Sequence, residues 1–353
     1  MGKRKILFTI ANSMTGGVEA ILLNLLKNID RNRYHSTIIV THISGALHNE
    51  FIEHSDEVIN ISCGPTIHTQ ADKEHKLVEN TNYINEHLRH HNYDIMHVIN
   101  SFEGYISSED FFGKVVFGIY GDYHSNHSFF QRRIDILKRS ESDENSYIIT
   151  DTPANLELFS KAILIPTGVD VPRVYERIER NSKKLIWIGR ASGEKRVQMF
   201  IELMKKLPDY NAVMFLAGRI NHYKFPNNIK TYQDVTDRLT ITKELLSSSI
   251  YVNTSYMEGQ PLSLIEAMKC KCIPVVPHLG GMPELIGDTG GVIRLDKKTS
   301  YTQRDLNNFV SEIHRFHRMM PLTMEKQRKL VKYKVRKHSI KYMVEKILGV
   351  YEK

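Results

Sequence analysis

Cysteine is scarce in this chain of 353 residues. Cys63, Cys270 and Cys272 are an odd number without regular spacing, which excludes a disulfide framework. Cys270 and Cys272 flank a single residue and lack a second ligand pair, so they read as packing residues and not as a metal site. No apolar run approaches the roughly 20 residues needed to cross a bilayer. The N-terminal Met-Gly-Lys-Arg-Lys-Ile-Leu-Phe runs straight into a strand pattern and not into a signal-peptide core, so a cytoplasmic protein is the default expectation. Internal repeats and low-complexity tracts are absent, and the single tryptophan, Trp187, reads as a core residue.

Hydrophobic residues make up 41% and charged residues 25%, an ordinary globular balance on a chain long enough for two domains. The net charge of +8 favours anionic partners: nucleotide diphosphates, phospholipid head groups or nucleic acid. Nucleic acid is the weakest of these, because the basic residues are mostly spread along the chain and not interleaved with aromatics on one element. The exception is the C-terminal run holding Lys326, Arg328, Lys329, Lys332, Lys334, Arg336, Lys337 and Lys341, which suits either a solvated face or an anionic membrane surface.

Short apolar runs at 5–10, 36–40, 58–61, 95–99, 115–120, 147–150 and 163–165 predict strands, with helical patterns at 18–26, 71–90, 129–139 and 153–160. Strands alternating with helices predict an α/β fold with mostly parallel sheets, whose ligands lie at the carboxyl ends of the strands. Pro166-Thr-Gly-Val-Asp170 and the charged run to Lys184 break the pattern. We place a domain boundary there, giving a first domain over 1–168 and a second over 169–337. In the second half the spacing predicts strands at 185–188, 212–217, 229–235, 250–254 and 272–276. Helices are predicted at 197–207, 242–249, 301–318, 322–335 and 338–351.

Three loops carry chemistry. After the first strand, Ala11-Asn-Ser-Met-Thr-Gly-Gly17 precedes a helix. It lacks both the three-glycine dinucleotide pattern and a P-loop Gly-Lys-Ser/Thr. Gly16 and Gly17 fit equally a plain tight turn and a close approach to a phosphate at the helix start. Gly189 and Arg190 end a strand, and Lys195 follows, so two cations stand where a diphosphate would lie. The third loop, Tyr256-Met-Glu-Gly-Gln-Pro-Leu-Ser-Leu-Ile-Glu-Ala-Met268, places Glu258 before a helix start and Glu266 on its second turn. Pro261 suits the first helical position, and the N–H groups within 259–263, Pro261 having none, suit a phosphate or a ring of sugar hydroxyls. A capped loop-to-helix junction alone would look similar.

The run from Glu258 through Glu266 to Gly280-Gly-Met-Pro-Glu284, together with Gly189-Arg190-x-x-x-x-Lys195 and the Gly-Gly at 16–17, resembles the retaining glycosyltransferases of family 4. The resemblance implies a GT-B fold, two Rossmann-like domains with parallel sheets facing each other across a donor-binding cleft, the terminal helix 338–353 completing the first domain. It implies sugar transfer from a nucleotide-sugar donor, expected to be a UDP-sugar, to a glycan, glycolipid or protein acceptor, with no metal and no other cofactor. On this basis Glu258, Arg190 and Lys195 are the expected catalytic residues. Gly16, Gly17, Gly189, Gly259, Gln260, Pro261, Leu262 and Glu266 would bind the donor. In Tyr120-Gly-Asp-Tyr-His124, Asp122 and His124 are acceptor-side candidates, a structural role for them being equally compatible.

The sequence departs from the family pattern after Gly218, where the second glycine and proline are missing and the segment to Ile229 is too short for a helix. Gln233 stands where glycine is common, which puts recognition of the base in doubt. Two other readings remain: a non-catalytic GT-B-like partner subunit, and a nucleotide-sugar epimerase.

Overall fold

The computed structural model describes all residues except Met1, Thr15, 62–69, 101–110, 112, 125–126 and 297–299; Cys63 lies outside the described residues. The chain divides into two compact units, Met1–Gly168 with Ile340–Lys353, and Val169–Ser339.

In the first unit β1 (Arg4–Asn12), α1 (Gly17–Asn28), β2 (Tyr34–Ile43), α2 (His48–His54), β3 (Glu57–Asn60) and α3 (Gln70–His90) are followed by β4 (Ile95–Ile99), β5 (Lys114–Ile119), α4 (His127–Ser140), β6 (Ser146–Thr150) and β7 (Ala162–Leu164). The strands form one sheet in the order β3-β2-β1-β4-β5-β6-β7, every adjacent pair parallel. Helices cover both faces, which is why β1 and β4 are buried along most or all of their length and read as continuous apolar runs.

The helix expected over 153–160 is instead a short 3-10 turn, Pro153–Glu157. The cause is Asn155, whose buried side chain accepts from the Tyr123 N–H and donates to the Gly121 carbonyl and the Thr150 hydroxyl. A short amide side chain bonded this way competes with a regular helix.

The second unit comprises β8 (Asn181–Arg190), α5 (Val197–Lys205), β9 (Asn211–Ala217), β10 (Ile229–Gln233), α6 (Arg238–Ser247), β11 (Ser248–Val252), α7 (Leu262–Lys269), β12 (Ile273–Pro277), α8 (Met282–Ile286), β13 (Gly291–Ile293), α9 (Gln303–His317) and α10 (Pro321–Lys334). Its sheet runs β10-β9-β8-β11-β12-β13, again all parallel. α6 starts at 238 and not at 242, because the Asp237 carboxylate caps it, accepting from the Leu239 and Thr240 N–H groups. Cys270 and Cys272 are buried in this core, the Cys272 thiol donating to the Leu245 carbonyl at 3.0 Å.

After α10 the chain returns to the first unit as α11 (Ile340–Tyr351). Met343, Val344, Ile347, Val350 and Tyr351 join the core formed by α1, β1 and β2. The Tyr351 hydroxyl lies 2.6 Å from Nδ1 of the fully buried His97 on β4, and Lys114 Nζ donates to the Val350 and Tyr351 carbonyls.

Candidate functional site

The second sheet grows outward from β8 through β9 to β10, then jumps back to place β11 on the other side of β8. Such a reversal leaves a crevice at the carboxyl ends of the two central strands. β8 ends there in Arg190 and leads through a short 3-10 turn, Gly193–Lys195, to Arg196, whose φ of 51° sets the entry to α5. β11 ends there and leads through Asn253–Pro261 to α7.

The two loops are tied together. The Tyr256 N–H donates to the Glu194 carbonyl at 2.9 Å, and the buried Thr254 hydroxyl donates to the Lys195 carbonyl at 2.9 Å while accepting from the Trp187 indole at 3.1 Å. Trp187 is thus a core residue, and its one polar atom also fixes the loop junction. Gly189 has a packing reason: a Cβ there would stand 3.0 Å from the Trp187 ring.

At the centre Lys195 Nζ donates to Glu258 Oε1 at 2.5 Å, both side chains being largely buried. The same oxygen accepts from Ser255 Oγ at 2.7 Å and Asn253 Nδ2 at 3.3 Å. Three side chains from two loops therefore converge on one carboxylate oxygen. Arg190 pairs with Glu194 at 3.0 Å and keeps a side chain that is 63% exposed, the freer of the two cations. Gly259 accepts from the Gly281 N–H at 2.9 Å, which draws the β12–α8 turn against this loop. The buried Gln260 Oε1 has no hydrogen-bond partner among the described residues. An orphaned acceptor of this kind suits a hydroxyl donor from a ligand.

Pro261 sits just before α7 and not at its first position, with extended backbone (φ −64°, ψ 129°), and Leu262 opens the helix. One turn further on, Glu266 is buried and paired with the Arg238 guanidinium at the start of α6. Burial raises the Glu266 carboxyl above the usual carboxylate range, and Arg238 opposes that shift. Arg238 is absent from the sequence-derived candidates. The buried Tyr251 hydroxyl lies 2.8 Å from Ser263 Oγ on α7, and burial is the main cause that pushes its pKa up.

The neighbouring strand ends match the departures noted in the sequence. No helix forms between Gly218 and Ile229. Gly218, at φ +102°, donates its N–H to Asp234 Oδ1 at 2.8 Å and accepts from Gln233 Nε2 at 3.1 Å.

The remaining candidates belong to the first unit. Gly16 precedes α1 and Gly17 opens it; a Cβ on Gly16 would strike the Glu19 carboxylate at 2.1 Å. Asp122 is buried, whereas His124 is at the surface with Nε2 3.1 Å from Glu157 Oε2. A further buried carboxyl, Asp151, was not anticipated. Its pKa is pushed up to about 6 by burial, against hydrogen bonds from Thr167 (2.7 Å) and Thr152 (3.0 Å). Among the described residues no three or more His, Cys, Asp or Glu side chains gather as metal ligands.

Residues 173–333 match the family described as Glycosyl transferases group 1. No curated protein sequence matches the chain. Among solved structures, a glycosyltransferase from Rickettsia africae ESF-5 superposes with a TM-score of 0.68 at 16% identity, over 100% of this chain and 98% of that one. HepE of Anabaena in complex with UDP-glucose gives 0.70 at 15% identity, over 99% of each chain. A sucrose-phosphate synthase from Thermosynechococcus elongatus gives 0.72 at 14%, over 99% and 98%. The fold is GT-B, two Rossmann-like units with parallel sheets, and the second unit carries the group 1 glycosyltransferase match.

Proposed function

We propose that the chain is a retaining glycosyltransferase that moves a hexosyl or N-acetylhexosaminyl group from a UDP-sugar to a hydroxyl of a glycan, glycolipid or protein, in building a surface polysaccharide or glycoconjugate. The observation that carries this reading is the largely buried Lys195–Glu258 pair at the reversal point of the second sheet, followed by the buried Glu266 on the next helix, within the segment that matches the group 1 glycosyltransferases. The UDP-glucose bound to HepE, a protein of the same fold, supports the donor class.

In this reading the bond between the sugar C1 and the diphosphate breaks and a C1–O bond to the acceptor forms on the same face. The acceptor proton passes to the departing phosphate oxygen, and UDP leaves. Charge grows on the diphosphate as it departs, so cations fixed beside it stabilise the transition state more than the ground state. Arg190 and Lys195 supply them, which would let the reaction proceed in the presence of EDTA. Glu266 accepts hydrogen bonds from the ribose hydroxyls. Glu258 and Gln260 Oε1 accept from sugar hydroxyls, and the backbone N–H groups of Gly259, Gln260 and Leu262 hold hydroxyl or phosphate oxygens at the start of α7. Within the first unit, Gly16 and Gly17 are the donor candidates and Asp122 and His124 the acceptor candidates.

The test is UDP binding by calorimetry to the parent protein and to Glu266→Ala. Losing a hydrogen bond to a charged group costs about 1.5–3 kcal/mol, so the variant should bind roughly ten to a hundred times more weakly. Binding of another nucleotide in place of UDP would change the donor class only. If no nucleotide binds at all, the chain is a GT-B partner subunit and the enzymatic reading fails.

A further inference from the structure

α10 carries an unusual surface. Of the eleven large hydrophobic side chains exposed among the described residues, four fall within 320–333: Met320 at 73%, Leu322 at 78%, Leu330 at 51% and Tyr333 at 58% exposure. Leu322, Lys326, Lys329, Leu330 and Tyr333 follow the spacing i, i+4, i+7, i+8, i+11, which puts them on one side of the helix. The opposite side packs inward: Val331 and Val335 lie in the core, Met324 rests against it, and Arg328 Nη2 donates to the buried Ser249 hydroxyl at 3.2 Å. The exposed side is flanked by Lys332 and Lys334 and extended by Arg336 and Lys337. Glu325, the one acid between Met319 and Ser339, is paired with Lys271.

We propose that the outer face of α10 is a docking surface for an anionic lipid bilayer, with Leu322, Leu330 and Tyr333 entering the head-group region and the surrounding lysines resting on lipid phosphates. Exposed aliphatic and aromatic side chains alternating with lysine on one helix face are what an interfacial helix requires. Two alternative occupants fit less well. A second copy of the same face would set cation against cation, and a nucleic acid would leave the leucines in water. No helix among the described residues is long and apolar enough to cross a membrane, so attachment would be from one side. Tyr333 is stacked under the Arg336 guanidinium at 3.9 Å, which holds its ring beside a cation. This inference stands apart from the glycosyl-transfer reading, because it uses none of the residues around Glu258 and Glu266.

The experiment is co-sedimentation of the full chain with vesicles of phosphatidylcholine alone and of phosphatidylcholine with about a third phosphatidylglycerol. Each lysine at an anionic surface strengthens partitioning roughly fivefold. Binding is expected only to the anionic vesicles and should weaken in high salt. Lys326→Glu with Lys329→Glu should reduce it at least tenfold, and Leu322→Ser with Leu330→Ser severalfold. Both double variants should keep the parent melting temperature and nucleotide affinity. No binding to anionic vesicles, or binding that both double variants retain, would overturn the proposal. Loss in the charge-reversed variant with full retention in the serine variant would also overturn it, since a surface that reads charge alone is a polyanion site.

Discussion

Arg238 donates to Glu266 Oε1, a carboxylate oxygen that ribose hydroxyls would need in the proposed function. The guanidinium therefore has two effects: it competes for an acceptor, and it favours the ionised form of a buried acid. Removing it leaves burial unopposed, so the Glu266 pKa rises further. In Arg238→Met the protonated fraction of Glu266 should grow as pH falls, and with it the loss of UDP affinity. The ratio of variant to parent dissociation constants, from which the titration of UDP itself cancels, should rise as the pH is lowered. Parallel pH profiles would show that Arg238 does not set the state of Glu266. The visibility of these residues in the sequence follows from distance along the chain. Glu258, Gly259, Pro261 and Glu266 occupy one loop and helix start, so their spacing alone put them together. Lys195 was reachable through its own short motif. Arg238 meets Glu266 from another helix, and the parallel order β8-β11 with the start of α6 just after its Asp237 cap brings them into contact.

At the scale of elements, the loop bearing Glu258 is held from outside by the turn after β12. Gly280 has φ +52°, and a Cβ on it would lie 2.3 Å from both the Glu258 and Gly259 carbonyl oxygens. These are backbone atoms, so the contact cannot be relieved by rotating a side chain. Gly280→Ala should cost at least the roughly 1–2 kcal/mol of a left-handed alanine. It should also displace the loop, lowering both the melting temperature and UDP affinity. A variant with parent values for both would mean the loop accommodates the methyl freely. This turn also shows why element boundaries were only partly legible. Gly280-Gly-Met-Pro-Glu-Leu285 reads as a turn, yet Met282–Ile286 forms a helical turn, because Met282 and Ile286 are buried in the core and Pro283 suits a helix start. α2 and β13 went unread for a related reason: they are short, and their structure comes from the core they pack on and not from any periodicity of their own. The long strands and the helices α3, α9 and α10 were legible because their apolar pattern persists over several turns or a full strand.

For the whole molecule, the apolar runs and the break at Pro166 were enough to show two α/β units, whereas nothing local in 340–353 marks that helix as part of the first unit. Its membership rests on contacts more than 200 residues apart in the chain, between Tyr351 and His97 and between Lys114 and the α11 carbonyls. Met343, Val344, Ile347, Val350 and Tyr351 are each buried there, at roughly 1.5–3 kcal/mol per side chain as an upper bound. Their sum is comparable to the about 5–15 kcal/mol that holds a typical domain folded. A chain ending at Ser339 should therefore lose hydrogen-exchange protection through β1, β4 and β5. Protection in β8, β9 and β11 should persist, because the core of the second unit draws no residue from α11. Loss of protection in both units together would mean that they fold as one cooperative body. Unchanged protection in the first would mean that α11 is dispensable to the core it enters.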